Sequence, residues 1–234
     1  MTSITGPIDA VLLDVGGVFL LPRKDDVLAA LGPFGADAAQ LLAGHYAGVA
    51  AMDAAGYFDW RVYATAYVDV AGVPRQQRAD AAAALDAILM QPGLWTDVIP
   101  GSVSSLEHLA ATGVPIGIVS NADGTVEAEL LANKVCQVGE GECTNVAVVV
   151  DSTVAGMEKP DPRIFTVALE ALGAAPERVV MVGDTVHTDV HGARAAGIHP
   201  LHLDPYDFCP APDDHAHVRS LDDVAELVVS SRRA

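Results

Sequence analysis

The sequence contains few cysteines and few lysines, and each shortage excludes some classes of protein. Three cysteines in 234 residues, without close metal-type spacing, are typical of a reduced cytoplasmic protein rather than a disulfide scaffold. Only three lysines, in a chain with a formal net charge of -18, argue against a basic surface for nucleic acid or anionic lipid. We therefore expect a cytoplasmic protein with no nucleic-acid partner and no membrane partner.

Long apolar runs and a basic N-terminal segment are also missing. No run approaches the length of about 20 residues that a transmembrane helix needs. The first twenty residues include Asp9 and Asp14, so we do not expect a signal peptide there. Hydrophobic residues make up 51% of the chain, which is enough for one large domain or for a domain with a smaller insert.

Residues 9–18 form the stretch on which the interpretation depends. An apolar run ends at Asp14, just before Gly16 and Gly17, and this predicts a buried strand with a carboxylate at its C-terminal end. In an open parallel sheet, ligands bind beyond the carboxyl ends of the strands. An aspartate that only starts a turn would show the same local pattern, so the interpretation needs partners further along the chain.

Three later segments place polar side chains at predicted strand ends or in the turns beyond them. They are Ser120 and Asn121 after residues 116–119, Lys159 before a Pro-Asp-Pro turn, and Asp184 and Asp189 after residues 179–183. Because the carboxyl ends of parallel strands share one edge of a sheet, these side chains are expected to meet Asp14.

This ordered set resembles the four motifs of the haloacid dehalogenase-like (HAD) superfamily, most of whose members are magnesium-dependent phosphatases. The resemblance covers about residues 8–203, apart from an insert after the first motif. It implies hydrolysis of a small phosphorylated metabolite, with Asp14 as the nucleophile that forms an aspartyl-phosphate and Lys159 as a fixed catalytic cation.

The same resemblance implies the remaining roles in the site. Ser120, Asn121 and Lys159 are expected to bind the phosphoryl oxygens, together with backbone N–H groups of the turn that follows. Oxygen ligands suit Mg²⁺ better than zinc. The implied Mg²⁺ ligands are Asp14, the backbone carbonyl of Gly16, Asp184 and Asp189.

Gly16 is a departure from the family pattern, which usually has a second acid at this position. Glycine keeps the carbonyl that the family uses for Mg²⁺. It lacks the carboxyl group that protonates the leaving alcohol and then activates water, a role worth about 10²–10⁴-fold. His187, inside the fourth motif, is a candidate substitute, although a surface histidine would look the same in the sequence.

The fold class predicted is α/β, a doubly wound Rossmann-like parallel sheet with an inserted all-helical cap domain. From residue 102 onward, helices and strands alternate, which predicts parallel pairing through right-handed crossovers. Residues 25–90 are rich in alanine and have helical periodicity. We therefore expect a core of residues 1–20 and 93–234 and a helical cap of residues 21–92. The family resemblance implies that this cap selects the substrate.

Two other functions remain open on the sequence alone. Dehalogenases of the superfamily also lack the second acid, but their first motif carries a tyrosine, which Gly16 is not, and they need no metal. A regulatory protein that binds phosphometabolites without turnover is the second alternative. The sequence identifies neither the substrate nor the oligomeric state.

The segment 204–217 contains acids and two histidines, His215 and His217, that could bind a transition metal. It is also rich in proline, and no strand or helix is predicted within it. A surface loop is therefore the expectation for this segment.

Overall fold

The structure is a computed structural model that describes residues 6–233. It divides into two compact units. The first comprises the described residues up to Phe19, Val98–Pro205 and the residues from Ala211 onward, and the second comprises Leu20–Asp97 and Tyr206–Pro210. The sequence-based division into a core and a cap at 20/21 and 92/93 stays a proposal.

Strands occur in both units, and they are short. In chain order they are β1 (Ala10–Leu13), β2 (Leu20–Pro22), β3 (Trp95–Val98), β4 (Ile116–Ser120), β5 (Cys136–Val138), β6 (Thr144–Val146), β7 (Val148–Asp151), β8 (Val179–Gly183), β9 (His199–Leu203) and β10 (Ala216–Val218). Most of them match apolar segments of the sequence, as strands buried in a parallel sheet do.

Helices separate most of these strands. In chain order they are α1 (Lys24–Leu31), α2 (Leu41–Ala55), α3 (Trp60–Val70), α4 (Arg78–Leu89), α5 (Ser102–Ala111), α6 (Val126–Ala132), α7 (Ser152–Ala155), α8 (Arg163–Leu172), α9 (His191–Ala195) and α10 (Leu221–Ser231). A π-helical turn, Val186–Val190, precedes α9. Within residues 6–233, none of the helices combines the length and the apolarity that crossing a bilayer requires.

The main sheet of the first unit has six strands in the order β10-β9-β8-β1-β4-β7. All its pairs are parallel. β1 lies inside the sheet, and its residues Ala10–Leu13 are fully buried. The predicted α/β class is therefore confirmed, with β1 between β4 and β8 in a doubly wound, Rossmann-like core.

The second unit is helical, as the periodicity of residues 25–90 predicts. Its core includes Leu31, Tyr63, Val68 and Leu85, which are fully buried, and these residues come from α1, α3 and α4. The short ribbon formed by β2 and β3 was not predicted. Strands of three and four residues are too short to show an alternating pattern.

Two expectations for the first unit are wrong. The apolar run at residues 146–150, between predicted helices, predicts one strand. The structure divides it, because β6 ends at Val146 and pairs with β5, while β7 starts at Val148 and pairs with β4. The segment 204–217 is not only a surface loop, because β10 begins at Ala216 and extends the main sheet beside β9. A three-residue edge strand among acids, prolines and histidines gives no periodic signal.

Candidate active site

The predicted site residues of the first unit lie at one edge of the main sheet. Leu13, the last residue of β1, is in register with Ile118 of β4 and Val182 of β8. Asp14 directly follows β1, Ser120 ends β4, and Asp184 directly follows β8. Parallel pairing therefore brings together three segments that are more than 60 positions apart in the chain.

This edge also contains the topological switch point of the sheet. From β1 the chain continues through β4 and β7 on one side, and then crosses to β8, β9 and β10 on the other side. Connections that leave two adjacent strands in opposite directions open a crevice, here between β1 and β8. Asp14 and Asp184 stand at the ends of the two strands that border this crevice.

Lys159 links two of the predicted acids. Its Nζ donates to Asp189 Oδ1 at 2.7 Å and forms an ion pair with Asp14 Oδ1 at 2.8 Å. Burial acts to lower the pKa of Lys159, but the carboxylates of Asp14 and Asp189 outweigh this effect and raise it. The lysine is 2% exposed and therefore stays a buried cation between the two acids.

Asn121 fixes the backbone of Lys159. Its Nδ2 donates to the Lys159 carbonyl oxygen at 2.9 Å, and its Oδ1 accepts from the Lys159 backbone N–H at 2.8 Å. The side chain therefore positions the loop that carries the lysine, a role that the sequence analysis did not assign. Its predicted contact with a phosphoryl oxygen stays a prediction, as does that of Ser120, which is buried at the end of β4.

The turn after Asn121 is held by residues at the end of β7. Ser152 Oγ accepts from the backbone N–H of Ala122 at 3.0 Å, and Asp151 Oδ2 accepts from that of Gly124 at 2.9 Å. The predicted donation from backbone N–H groups of this turn to a phosphoryl group stays a prediction. Sequence reasoning missed Asp151, although it stands at a strand end like Asp14.

Asp184 and Asp189 complete an acidic cluster with Asp14. The three buried carboxylates place one oxygen each within 4.8 Å of one another. Thr185 connects the two residues of the fourth motif, since its N–H donates to Asp189 Oδ2 and its hydroxyl donates to Asp184 Oδ1, both at 3.2 Å. Burial raises the pKa of Asp189 to about 7. The negative charges of Asp14 and Asp184 also raise this pKa, whereas the positive charge of Lys159 acts to lower it.

The cluster fits a hard divalent cation. Three buried carboxylates face one buried ammonium group, so the charge is not balanced by Lys159 alone. Asp14 Oδ1 lies within ion-pair distance of Lys159 but accepts no hydrogen bond of normal geometry from the described residues. An all-oxygen donor set of this kind suits Mg²⁺.

Gly183 is a further residue of the site. A β-carbon at this position would overlap the carboxylate of Asp189. The glycine is therefore required by the close approach of that side chain to the end of β8. The pattern Val-Gly-Asp at a strand end was visible in the sequence, but the partner of the glycine was not.

We expect Gly183→Ala to lower the free energy of unfolding by about 1–3 kcal/mol, as overpacking of a buried site does. The added methyl group would push the Asp189 carboxylate away from the N–H of Thr185. Urea denaturation measures the loss. Gly32→Ala is the matched control, because within the described part of the chain nothing beyond its own neighbours and helix backbone lies within 4 Å of the added β-carbon. An equal effect of both changes would contradict the packing argument.

Gly16 and His187 lie close to these residues in the chain. Val18 N–H donates to the Val15 carbonyl oxygen, which closes a turn around Gly16 and Gly17. Among the described glycines with positive φ is Gly17, at 67°, whereas Gly16 is not one of them. His187 is partly exposed in the π-helical turn. Its predicted role as a proton donor stays a prediction.

Curated relatives and solved structures resemble this chain. Phosphoserine phosphatase of Thermus thermophilus is 32% identical over 163 residues, which are 68% of this chain and 61% of that protein. Glyceraldehyde 3-phosphate phosphatase of Methanothermobacter thermautotrophicus is 32% identical over 133 residues, which are 55% of this chain and 56% of that protein. The chain thus spans less than two thirds of the length of these relatives.

A solved structure supports the fold. The HAD family hydrolase of Deinococcus radiodurans, determined with bound phosphate and sodium, has a TM-score of 0.56 and 24% identity, and 97% of each chain is covered. The haloacid dehalogenase-like hydrolase family matches residues 8–197, a range that contains every residue of the site described above. Because this match covers most of the chain, the protein belongs to the haloacid dehalogenase-like hydrolases.

Proposed function

We propose that this protein is a Mg²⁺-dependent phosphatase that hydrolyses a small phosphorylated metabolite. The observation that carries the proposal is the buried Lys159 held between Asp14 and Asp189 at the switch point of the sheet. Two relatives named as phosphatases, of phosphoserine and of glyceraldehyde 3-phosphate, support the same class of substrate. Among the described residues, none of the three cysteines forms a disulfide, which supports the proposed cytoplasmic location.

Asp14 is the proposed nucleophile. Its carboxylate attacks phosphorus, the bond from phosphorus to the ester oxygen breaks, and the leaving alcohol takes a proton. Water then attacks phosphorus, the bond to the Asp14 oxygen breaks, and inorganic phosphate leaves. The side chain of Asp14 is 12% exposed, whereas that of Lys159 is 1% exposed, so Asp14 is the member of this pair that a ligand can reach.

Lys159 has two tasks in this scheme. Its ammonium group orients the carboxylate of Asp14 and offsets negative charge on the transferring phosphoryl oxygens. Asn121 keeps the lysine in place through its backbone. When bound by Asp14, the Gly16 carbonyl, Asp184 and Asp189, Mg²⁺ would supply further positive charge for the phosphoryl group.

The second unit contains the whole of the proposed cap, and we propose that residues 21–92 select the substrate. The family resemblance implies this role, because lids in such enzymes exclude water and complete the site. Replacing the segment by a short linker is then expected to flatten the discrimination among phosphate esters.

Because residue 16 is a glycine, the chain lacks the general acid that the family usually has at this position. We expect Gly16→Asp to raise the turnover of alkyl phosphates by up to about 10²-fold, because a carboxyl group there would protonate the leaving oxygen and activate water. The left-handed backbone lies at Gly17, so this change meets no penalty of that kind at residue 16.

Steady-state rates on aryl and alkyl phosphates measure the effect, since good leaving groups need little protonation. The wild type should favour aryl phosphates more strongly than the variant does. Equal sensitivity to the leaving group in both proteins would show that another residue, with His187 the first to test, already supplies the proton.

The proposed function is tested by measuring phosphate release from a panel of phosphorylated metabolites, with Mg²⁺ and with EDTA. We expect hydrolysis that EDTA abolishes. A parallel assay for halide release from haloacids separates the dehalogenase reaction, which would proceed in EDTA. Tight binding of phosphometabolites without any hydrolysis would instead identify a regulatory protein and contradict the proposal.

A further inference from the structure

Three histidines of the first unit form a cluster that the proposed hydrolysis does not use. His202 on β9 and His217 on β10 are register partners, so both side chains leave the sheet on the same face. His215 lies one residue before β10, and the ring centroids of the three are 4.5–5.1 Å apart. His202 and His215 are 4% and 2% exposed.

The hydrogen bonds of this cluster restrict the tautomers that neutral imidazoles can adopt. His202 Nε2 lies 2.9 Å from the carbonyl oxygen of Asp184, so this nitrogen must donate and Nδ1 carries a lone pair. His215 Nε2 lies 2.9 Å from that lone pair and would have to donate to it. The other nitrogen of His215 would then direct a lone pair at the carboxylate of Asp214, 3.5 Å away.

His217 supplies a second, independent observation. Its Nε2 is buried and has no hydrogen-bond partner among the described residues, a state that costs free energy. One cation among the three rings would bind this nitrogen and would also remove the contact between a His215 lone pair and the Asp214 carboxylate. The lone pairs of His202 Nδ1, His215 Nε2 and His217 Nε2 would bind it, and His215 Nδ1–H would be free to donate to Asp214.

We propose that His202, His215 and His217 bind a transition-metal ion, with zinc as the first candidate. The ligand atoms lie within 4.8 Å of one another. Zinc–nitrogen bonds of about 2.0–2.1 Å in a tetrahedron place two nitrogens about 3.4 Å apart, so small side-chain movements suffice. Three histidine nitrogens are an established protein donor set for tetrahedral zinc.

The surroundings of the three rings are those of a metal site. The N–H of His202 is held by a backbone carbonyl, and Asp214, beside His215, is itself fixed by Arg194 at 2.7 Å. Such outer partners orient metal-binding histidines. Burial lowers the pKa of His202 and, with the neighbouring imidazoles, lowers that of His215 to about 4, so both lone pairs are available at neutral pH.

This site differs in chemistry from the carboxylate cluster. Imidazole nitrogens bind zinc, copper or nickel, whereas carboxylates and water suit Mg²⁺. The two sites are adjacent in the fold, because His202 is in register with Gly183 and donates to the backbone of Asp184. A metal at the histidines would therefore rigidify the strand end that presents Asp184.

The test is a zinc titration of the full chain, after treatment with EDTA and dialysis, in excess Mg²⁺ to occupy the acidic groups. Competition with a chromogenic chelator measures the affinity. We expect one equivalent of zinc to bind and His217→Asn to weaken binding at least about 10-fold. The matched control is His199→Asn on the same strand as His202, and this variant should bind zinc as the wild type does.

Failure to bind zinc in excess Mg²⁺, or equal affinity of wild type and His217→Asn, would overturn the proposal. Circular dichroism checks that the variant is folded. If it is not, the wild type alone decides the question through its visible spectrum with Co²⁺. Strong absorption of a tetrahedral cobalt site supports the proposal, and the weak spectrum of an octahedral site contradicts it.

Discussion

Replacing Asp14 by asparagine is expected to lower phosphate release by at least about 10³-fold while the protein stays folded. The neutral amide is a poor nucleophile, so the first displacement at phosphorus is lost. The fold should tolerate the change, because Lys159 keeps its 2.7 Å hydrogen bond to Asp189. The asparagine side chain also occupies nearly the same volume as the aspartate that it replaces.

The matched control for this experiment is Asp9→Asn, since Asp9 directly precedes β1 as Asp14 directly follows it. Asp9 pairs with Arg178 at 2.9 Å and is exposed, so its loss should leave the turnover unchanged. Rates are compared at saturating substrate and Mg²⁺. Activity of Asp14→Asn within a few-fold of the wild type would exclude the aspartyl-phosphate mechanism.

The strand ends of the site could be predicted from sequence because burial on both faces makes parallel strands continuous and apolar. The runs that precede Asp14 and Asp184 show this directly, and β8 begins and ends where the sequence places it, at Val179 and Gly183. No local sequence pattern predicts the order of the strands in the sheet. The prediction that Lys159 belongs to the same site came from the family resemblance rather than from periodicity.

What the sequence did not show are the contacts between distant segments. Both ends of the Asn121 amide bind the backbone of Lys159, 38 positions away, and its predicted contact with the substrate stays a prediction. β10 was missed because three residues at a sheet edge carry no period, and this hid the register between His217 and His202. Tertiary pairing determines both features, and it leaves no local signal.

The second large effect is expected for Lys159→Met, which should abolish turnover and lower the free energy of unfolding by about 3–5 kcal/mol. Methionine resembles the lysine stem in length but leaves the carboxylates of Asp14 and Asp189 buried without their cation. Lys24→Met, at an exposed position, is the control and should change neither property. Urea denaturation in EDTA measures the free energies.

The pH dependence of the free energy of unfolding tests why Lys159→Met is destabilising. Burial raises the pKa of Asp189 to about 7 from its ordinary value of 3.8. The folded protein therefore binds more protons than the unfolded chain between these pH values, and stability falls as the pH rises through this window. Lys159 lowers the pKa of Asp189, so its removal should raise that pKa further and extend the window upward. Relative to the wild type, Lys159→Met is thus expected to lose more free energy of unfolding at pH 8 than at pH 5. Equal losses at both pH values would show that packing, rather than charge, explains the effect.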